Sequence, residues 1–298
     1  YGFPLELTEE IANEKGISVD VKGFDNEMAK QRKRAKDAST SVDLTEEGSI
    51  EREIVSFQVT EFKGYETLET TAKVLGIFKN NELVQEAIEG ETIKIIFDMT
   101  SFYAESGGQV GDQGLLTSKE CEVSIQTVRK KNNIFIHFGK VKKGILKVDS
   151  FVNMRVSPSF RSRTNSNHTA THLLQSALKL FIDSSVSQRG SLVASDRLRF
   201  DFNAPKPLTQ KQLQDVEVRI NQWINEDHPI QIKTMPIKEA LEAGALAMFG
   251  EKYGEVVRVV DVPGVSMELC GGTHVTSTSQ LGTFKIINES GIASGIRR

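Results

Sequence analysis

The chain has 298 residues, 38% hydrophobic and 26% charged, with 37 Lys and Arg against 40 Asp and Glu for a net charge of −3. That balance suits a soluble globular protein with room for roughly two ordinary domains, and it argues against a surface that coats nucleic acid broadly. No apolar run approaches the ~18–20 residues of a membrane span, and two cysteines, Cys121 and Cys270, cannot make a disulfide framework but suit a reducing compartment, the cytoplasm or an organellar matrix.

The opening "YGFPLELTEE" lacks the pattern of a signal peptide and a starting Met, so a piece of a longer protein is expected. Residues 1–45 read as a polar helical segment with a linker. Thr8 caps a short helix through Ala12 that stops near Gly16, and a second helix runs from Asn26 to Ala38. Within it "KQRKRAK", residues 30–36, reads first as a solvated helix face, with a nucleic-acid contact as the alternative. "STSVDLTEEGS", residues 39–49, has linker composition.

Residues 46–156 change texture. "IVSFQVTEF", "TIKIIFDM", "CEVSIQTV", "NIFIHFG" and "ILKVDSFVNMRV" are rich in Val, Ile, Phe and Thr, and several alternate. "KKNN" and "KKG" read as turns between the later strands, and many strands with few helices predict a small β-barrel.

Residues 157–298 interleave helices and strands, which predicts an α+β domain. In 166–182 Ala170, Leu173, Leu174, Ala177, Leu178 and Phe181 recur at helical spacing; a second helix spans 208–226, and a third runs from Pro236 to Ala243. "LRFDF", "IQIKTM", "EVVRVVDV" and "TFKIIN" read as strands, and the final "GIRR" looks like a strand cut partway.

Two histidine pairings carry chemistry. His168 and His172 lie four apart on the 166–182 helix, so both rings share one face. Cys270 and His274 flank two glycines in "MELCGGTHV", where the glycines would let the backbone turn tightly. Either pair alone is weak. Together, one thiolate and three imidazoles make a natural tetrahedral zinc set and fit magnesium or calcium poorly. Four protein ligands would close the site around a structural ion, and a loose ligand would leave room for catalysis; both roles stay open. Residue 169 is Thr, so the pair is not the zinc-protease motif.

The loop "TSFYAESGGQVGDQG", residues 100–114, follows a strand with four glycines in a polar stretch and matches neither a dinucleotide nor a phosphate loop. It reads either as a bulged hairpin or as a ligand loop in which Glu105, Ser106, Gln109 and Asp112 supply polar contacts.

"NHTATHLLQSAL", "MELCGGTHV", "FYAESGGQVGDQG", "DRLRFDF", "EALEAGALAMFGEKYG" and "NESGIASGIRR" together resemble the editing region of alanyl-tRNA synthetases, and the first 36 residues resemble the end of their tRNA-recognition helices. The resemblance covers nearly the whole chain, in the family's order. It implies an N-terminal helical segment, a β-barrel and an α+β zinc-binding editing domain of the threonyl/alanyl-tRNA synthetase type. It implies hydrolysis of tRNA(Ala) mischarged with serine or glycine, with zinc and backbone dipoles orienting the ester attacked by water. By the same resemblance His168, His172, Cys270 and His274 match the zinc ligands. Glu105, Ser106, Gly107, Gly108 and Gln109 match the loop beside the aminoacyl group, and no side chain is assigned as general base. The partners implied are the acceptor end of tRNA(Ala) and the remainder of the synthetase, with no membrane. Nothing in the chain resembles the ATP-binding aminoacylation core, so no alanine activation is expected of this segment. A non-catalytic tRNA-binding module with structural zinc and a free-standing editing deacylase are the alternatives.

Overall fold

The computed structural model describes residues 56–247 and 253–298, with residues 53 and 54 and isolated positions between 12 and 30. Two compact units separate at Ser49/Ile50. The expected N-terminal helices, the basic run 30–36 and the linker 39–49 fall almost wholly outside the described residues.

In the second unit the chain first forms ten strands: β1 (Glu61–Phe62), β2 (Glu69–Lys79), β3 (Glu82–Val84), β4 (Glu86–Ile88), β5 (Thr92–Phe97), β6 (Met99–Thr100), β7 (Gly114–Thr117), β8 (Cys121–Lys131), β9 (Ile134–Lys147) and β10 (Phe151–Val156). Six of them pair antiparallel in the order β10-β7-β8-β9-β5-β2, and β2 pairs back to β10, so the barrel closes. Closure leaves no open edge among those six strands. Alternation explains the interior: Val152, Met154 and Val156 of β10 are buried while Phe151, Asn153 and Arg155 face out. Phe97, Phe102, Leu116, Val123, Ile125 and Leu146 fill the same core.

Three strand expectations in the barrel need correction. Residues 54–62 yield only the two-residue β1, which pairs parallel with β6. β2 is a long strand that the sequence pattern does not announce, because it opens on Glu-Thr-Thr and carries Gly76 at its centre. "KKG" is not a turn: β9 runs through it, with Lys142 as the extra residue at a register shift against β8, and the turn comes instead at 148–150, which splits "ILKVDSFVNMRV" between β9 and β10.

The remaining residues form α1 (Pro158–Phe181), β11 (Gln188–Val193), β12 (Leu198–Asn203), α2 (Gln210–Asn225), β13 (Gln231–Pro236), α3 (Ile237–Glu242), β14 (Val256–Val262), β15 (Ser266–Leu269), a 3-10 turn Thr278–Leu281, β16 (Gly291–Ala293) and β17 (Ile296–Arg297). Two sheets result, β11-β12-β17-β16 and β13-β14-β15. α1 starts earlier than its apolar stripe suggests, with Pro158 in its first turn, where a missing N–H costs nothing. Its stripe of Leu173, Ala177 and Leu178 packs on Val216, Ile220 and Trp223 of α2, which starts on a Thr209–Gln212 capping box. "TFKIIN" is no strand. The amides of Phe284 and Ile286 instead donate to Asn221 Oδ1 at 3.0 Å and Glu217 Oε2 at 2.9 Å on α2.

One clamp holds α1 against the barrel. The Arg161 guanidinium, in the helix's first turns, donates to the carboxylate of Asp112, to Gly64 O at 2.7 Å and to Ser101 O at 2.9 Å. Asp112 also accepts the Tyr103 amide at 2.7 Å, so the base of the glycine-rich loop and the root of α1 share one ion pair. Among the described residues no helix is long and apolar enough to cross a membrane.

Candidate metal centre

His168 and His172 project from the same face of α1, Cys270 follows β15 directly, and His274 comes four residues later. Ligand atoms from all four lie within 4.8 Å of one another. Cys270 Sγ is 3.5 Å from His168 Nε2 and 3.3 Å from His274 Nε2. A tetrahedron built on bonds of about 2.0–2.3 Å has edges of about 3.3–3.6 Å, so these separations suit one small ion.

Each imidazole is oriented through its other nitrogen. His168 Nδ1 lies 2.7 Å from Gln109 Oε1, and His274 Nδ1 lies 3.0 Å from Thr169 Oγ1. A carboxamide oxygen only accepts, so His168 carries a proton on Nδ1. The third imidazole is looser: His172 Nδ1 is 3.4 Å from Glu268 Oε2 and, buried, makes no hydrogen bond. Charge follows geometry. Burial works to raise the Cys270 thiol, but the neighbouring His168 and His274, with hydrogen bonds from His168 and His172, outweigh it and hold its pKa well below the ordinary value. Burial also works to lower His172, yet Glu268 and Cys270 bring it to about 9; burial and neighbouring His168 press His274 down to about 3. A thiolate, three convergent imidazoles and a buried Nδ1 with an acceptor just out of reach form a donor set that fits zinc.

The CGG turn works differently from expectation. Neither Gly271 nor Gly272 has a positive φ. Gly272 is glycine for want of space: a Cβ there would lie 2.0 Å from His168 Cε1.

His168, His172 and Cys270 border a cavity of about 680 Å³, walled on other sides by Ser106–Gly108, by Thr171 and Gln175 of α1 and by Gln188–Ser191 of β11, whereas His274 stands behind them and does not line it. Among the loop residues, Ser106, Gly107 and Gly108 line the cavity, whereas Glu105 is exposed beside it. Gln109 is fully buried and turned to the metal group: its Oε1 also accepts the Thr273 amide at 2.9 Å and its Nε2 donates to Thr273 Oγ1 at 2.8 Å. Sequence reading missed Thr169, Glu268, Arg258 and Tyr65. Glu268 two residues before the cysteine was the one available hint; the others lie far from their partners in the chain.

Comparison with known proteins places these features. The family described as tRNA synthetases class II (A) matches residues 1–159, and the threonyl and alanyl tRNA synthetase second additional domain matches residues 257–298. Alanine–tRNA ligases of Prochlorococcus marinus strains NATL1A and NATL2A are 78% and 77% identical over all 298 residues, and that of Microcystis aeruginosa strain NIES-843 is 53% identical. The chain spans 34% of the length of each.

Proposed function

Since the chain belongs to the class II (A) tRNA synthetases, as an internal segment of an alanyl-tRNA synthetase, we propose that residues 46–156 and 157–298 form its editing part, which hydrolyses the ester of Ser-tRNA(Ala) and Gly-tRNA(Ala). The need is physical. A pocket shaped for alanine separates glycine or serine by only ~1–3 kcal/mol, and a second, hydrolytic site supplies the missing discrimination.

The observation that carries this reading is that three residues of the four-donor group, His168, His172 and Cys270, meet the Ser106–Gly108 loop around one cavity. Its volume, about 680 Å³, lies in the range of small-molecule sites and suits an aminoacylated terminal nucleotide. His168, His172, Cys270 and His274 would hold zinc, which when bound supplies a positive centre that orients the ester and polarises its carbonyl. Gln109 and Thr169 fix the rings of His168 and His274. Glu105 and Ser106 offer polar contacts to a serine hydroxyl at the cavity's rim, and Gly107 and Gly108 allow close approach of the ester. No general base is assigned, and the terminal ribose hydroxyl of the tRNA is the candidate for moving the proton. The partners are the acceptor end of tRNA(Ala) and the rest of the synthetase. Alanine activation belongs to that remainder, so robust ATP–pyrophosphate exchange by this segment would contradict the assignment.

The second reading is a non-catalytic tRNA-binding module with a structural zinc, favoured by the four-ligand set. Single-turnover deacylation of Ser-tRNA(Ala), with and without chelator, separates the two. Cleavage that chelator abolishes while the circular dichroism spectrum is kept supports editing; no cleavage at any zinc level supports binding alone.

A further inference from the structure

The Cys270–Gly272 turn is gripped from outside the ligand set. Arg258, on β14, donates Nη1 to both Cys270 O and Gly272 O at 2.8 Å, and its own carbonyl accepts the Cys270 amide at 3.0 Å. Its guanidinium lies over the Tyr65 ring, 4.4 Å from the centroid. Tyr65 belongs to the barrel, just after β1, and stands edge-on to Phe62 with centroids 4.9 Å apart. Its hydroxyl donates to Gly271 O at 2.5 Å. The carbonyls of three consecutive residues are thus taken by two side chains, and neither side chain is a ligand.

Fixing those carbonyls fixes the amides on the other side of each peptide plane. The Gly272 amide then sits 3.4 Å from Cys270 Sγ, and the Thr273 amide meets Gln109 Oε1 at 2.9 Å. An N–H aimed at a thiolate stabilises its charge, as hydrogen bonds to ionised acceptors do. We propose that Arg258 and Tyr65 are positioning residues of the metal centre: they set the peptide orientations of the turn, aim Cys270 Sγ at the histidines and turn the Gly272 amide toward it. The proposal rests on the reading of His168, His172, Cys270 and His274 as a metal site.

A general gluing role would predict otherwise. Tyr65 is half exposed, at 50%, and the barrel is already tied to α1 by the buried Arg161–Asp112 pair. Losing the Tyr65 hydroxyl should therefore leave stability nearly untouched and act on the turn.

The test uses the whole chain, stripped of metal and titrated with Co²⁺ and with Zn²⁺ against a chelator. Tyr65→Phe keeps the ring under Arg258 and removes only the hydroxyl. Arg258→Lys keeps the charge but loses the planar fork and the stacking. Wild type is expected to take up one Co²⁺ with a sulfur-to-cobalt charge-transfer band. Tyr65→Phe should weaken zinc binding about 5-fold, the worth of one hydrogen bond, and Arg258→Lys about 10- to 100-fold. Both should change the cobalt ligand-field bands, while the metal-free urea midpoint of Tyr65→Phe stays at the wild-type value. Wild-type affinity and bands in both variants would overturn the proposal, as would a metal-free midpoint of Tyr65→Phe that falls in step with its affinity. A wild-type chain that takes up no cobalt would instead overturn the metal reading itself, and the proposal with it.

Discussion

The two glycines of the CGG turn should respond oppositely to alanine. At position 272 the added Cβ would stand 2.0 Å from His168 Cε1, 2.3 Å from His168 Nδ1 and 2.9 Å from Gln109 Oε1. Carbon contacts settle at about 3.5–4.0 Å, so the ring would have to retreat by roughly 1.5 Å. It cannot do so freely, because Gln109 holds His168 Nδ1 at 2.7 Å and is itself bound to Thr273. Zinc ligands tolerate displacements of only about 0.2 Å, so Gly272→Ala should drop His168 from the set. Losing an orienting partner already costs about 10- to 100-fold in metal affinity; displacing the ligand should cost at least the upper figure. Overpacking should add about 1–3 kcal/mol of destabilisation. At position 271 a Cβ meets only Tyr65 Oη, at 3.9 Å, and the backbone is not left-handed. Gly271→Ala should therefore leave metal affinity within about 2-fold, a surface-scale effect of ~0.5 kcal/mol. Zinc titration of both variants against a chelator decides the matter. Equal losses, or the larger loss at 271, would refute the steric account and restore a conformational role for the pair.

Further expectations concern the supports. Glu268→Gln removes the charge 3.4 Å from His172 Nδ1 and should weaken zinc binding about 10-fold; chelator competition that finds no change would uncouple the two residues. Asp112→Asn strands the buried Arg161 and should lower stability by about 3–5 kcal/mol in urea, and a loss below about 1 kcal/mol would mean the clamp holds little. His137 is buried in the barrel with its pKa pushed down to about 4 by desolvation, so the unfolded chain takes up the proton first. Its contribution is intact above about pH 6.5 and is lost as pH falls toward 4, amounting to about 2 kcal/mol lost at pH 5. His137→Gln should flatten the fall in urea stability between pH 7 and pH 5 relative to wild type; parallel slopes would refute the assignment.

The elements that sequence made legible are those whose signal is local. α1 could be read because its apolar stripe and its histidine pair share the helical period. β10 could be read because Val152, Met154 and Val156 alternate. What stayed hidden depended on partners distant in the chain. "TFKIIN" has a strand's composition, yet side chains of α2 occupy two of its amides. β9 passes through Lys-Lys-Gly because a register shift against β8 absorbs the irregularity that composition alone suggests is a turn. At the site, residue type and spacing announced the group of His168, His172, Cys270 and His274 that the fold brings within reach of one ion. Gln109 was visible as a polar loop residue, but its direction was not: the side chain faces His168 and Thr273 and makes no part of the cavity wall.

That asymmetry has a consequence for where the working unit ends. All four donor groups lie in residues 157–298, beyond the boundary that composition draws after Val156. Two of the side chains that set their geometry, Tyr65 and Gln109, come from the barrel, and Asp112 anchors the helix that carries two of the histidines. Barrel and α+β region accordingly fall in one compact unit. A fragment of residues 157–298 would keep every ligand and lose the holders of His168 and of Gly271 O. Losing the holder of His168 costs about 10-fold or more in affinity and losing the hydrogen bond to Gly271 O about 5-fold, so the fragment should bind zinc at least about 50-fold more weakly than the whole chain. Equal affinity would mean that the α+β region orients its own ligands and that the barrel serves the substrate alone.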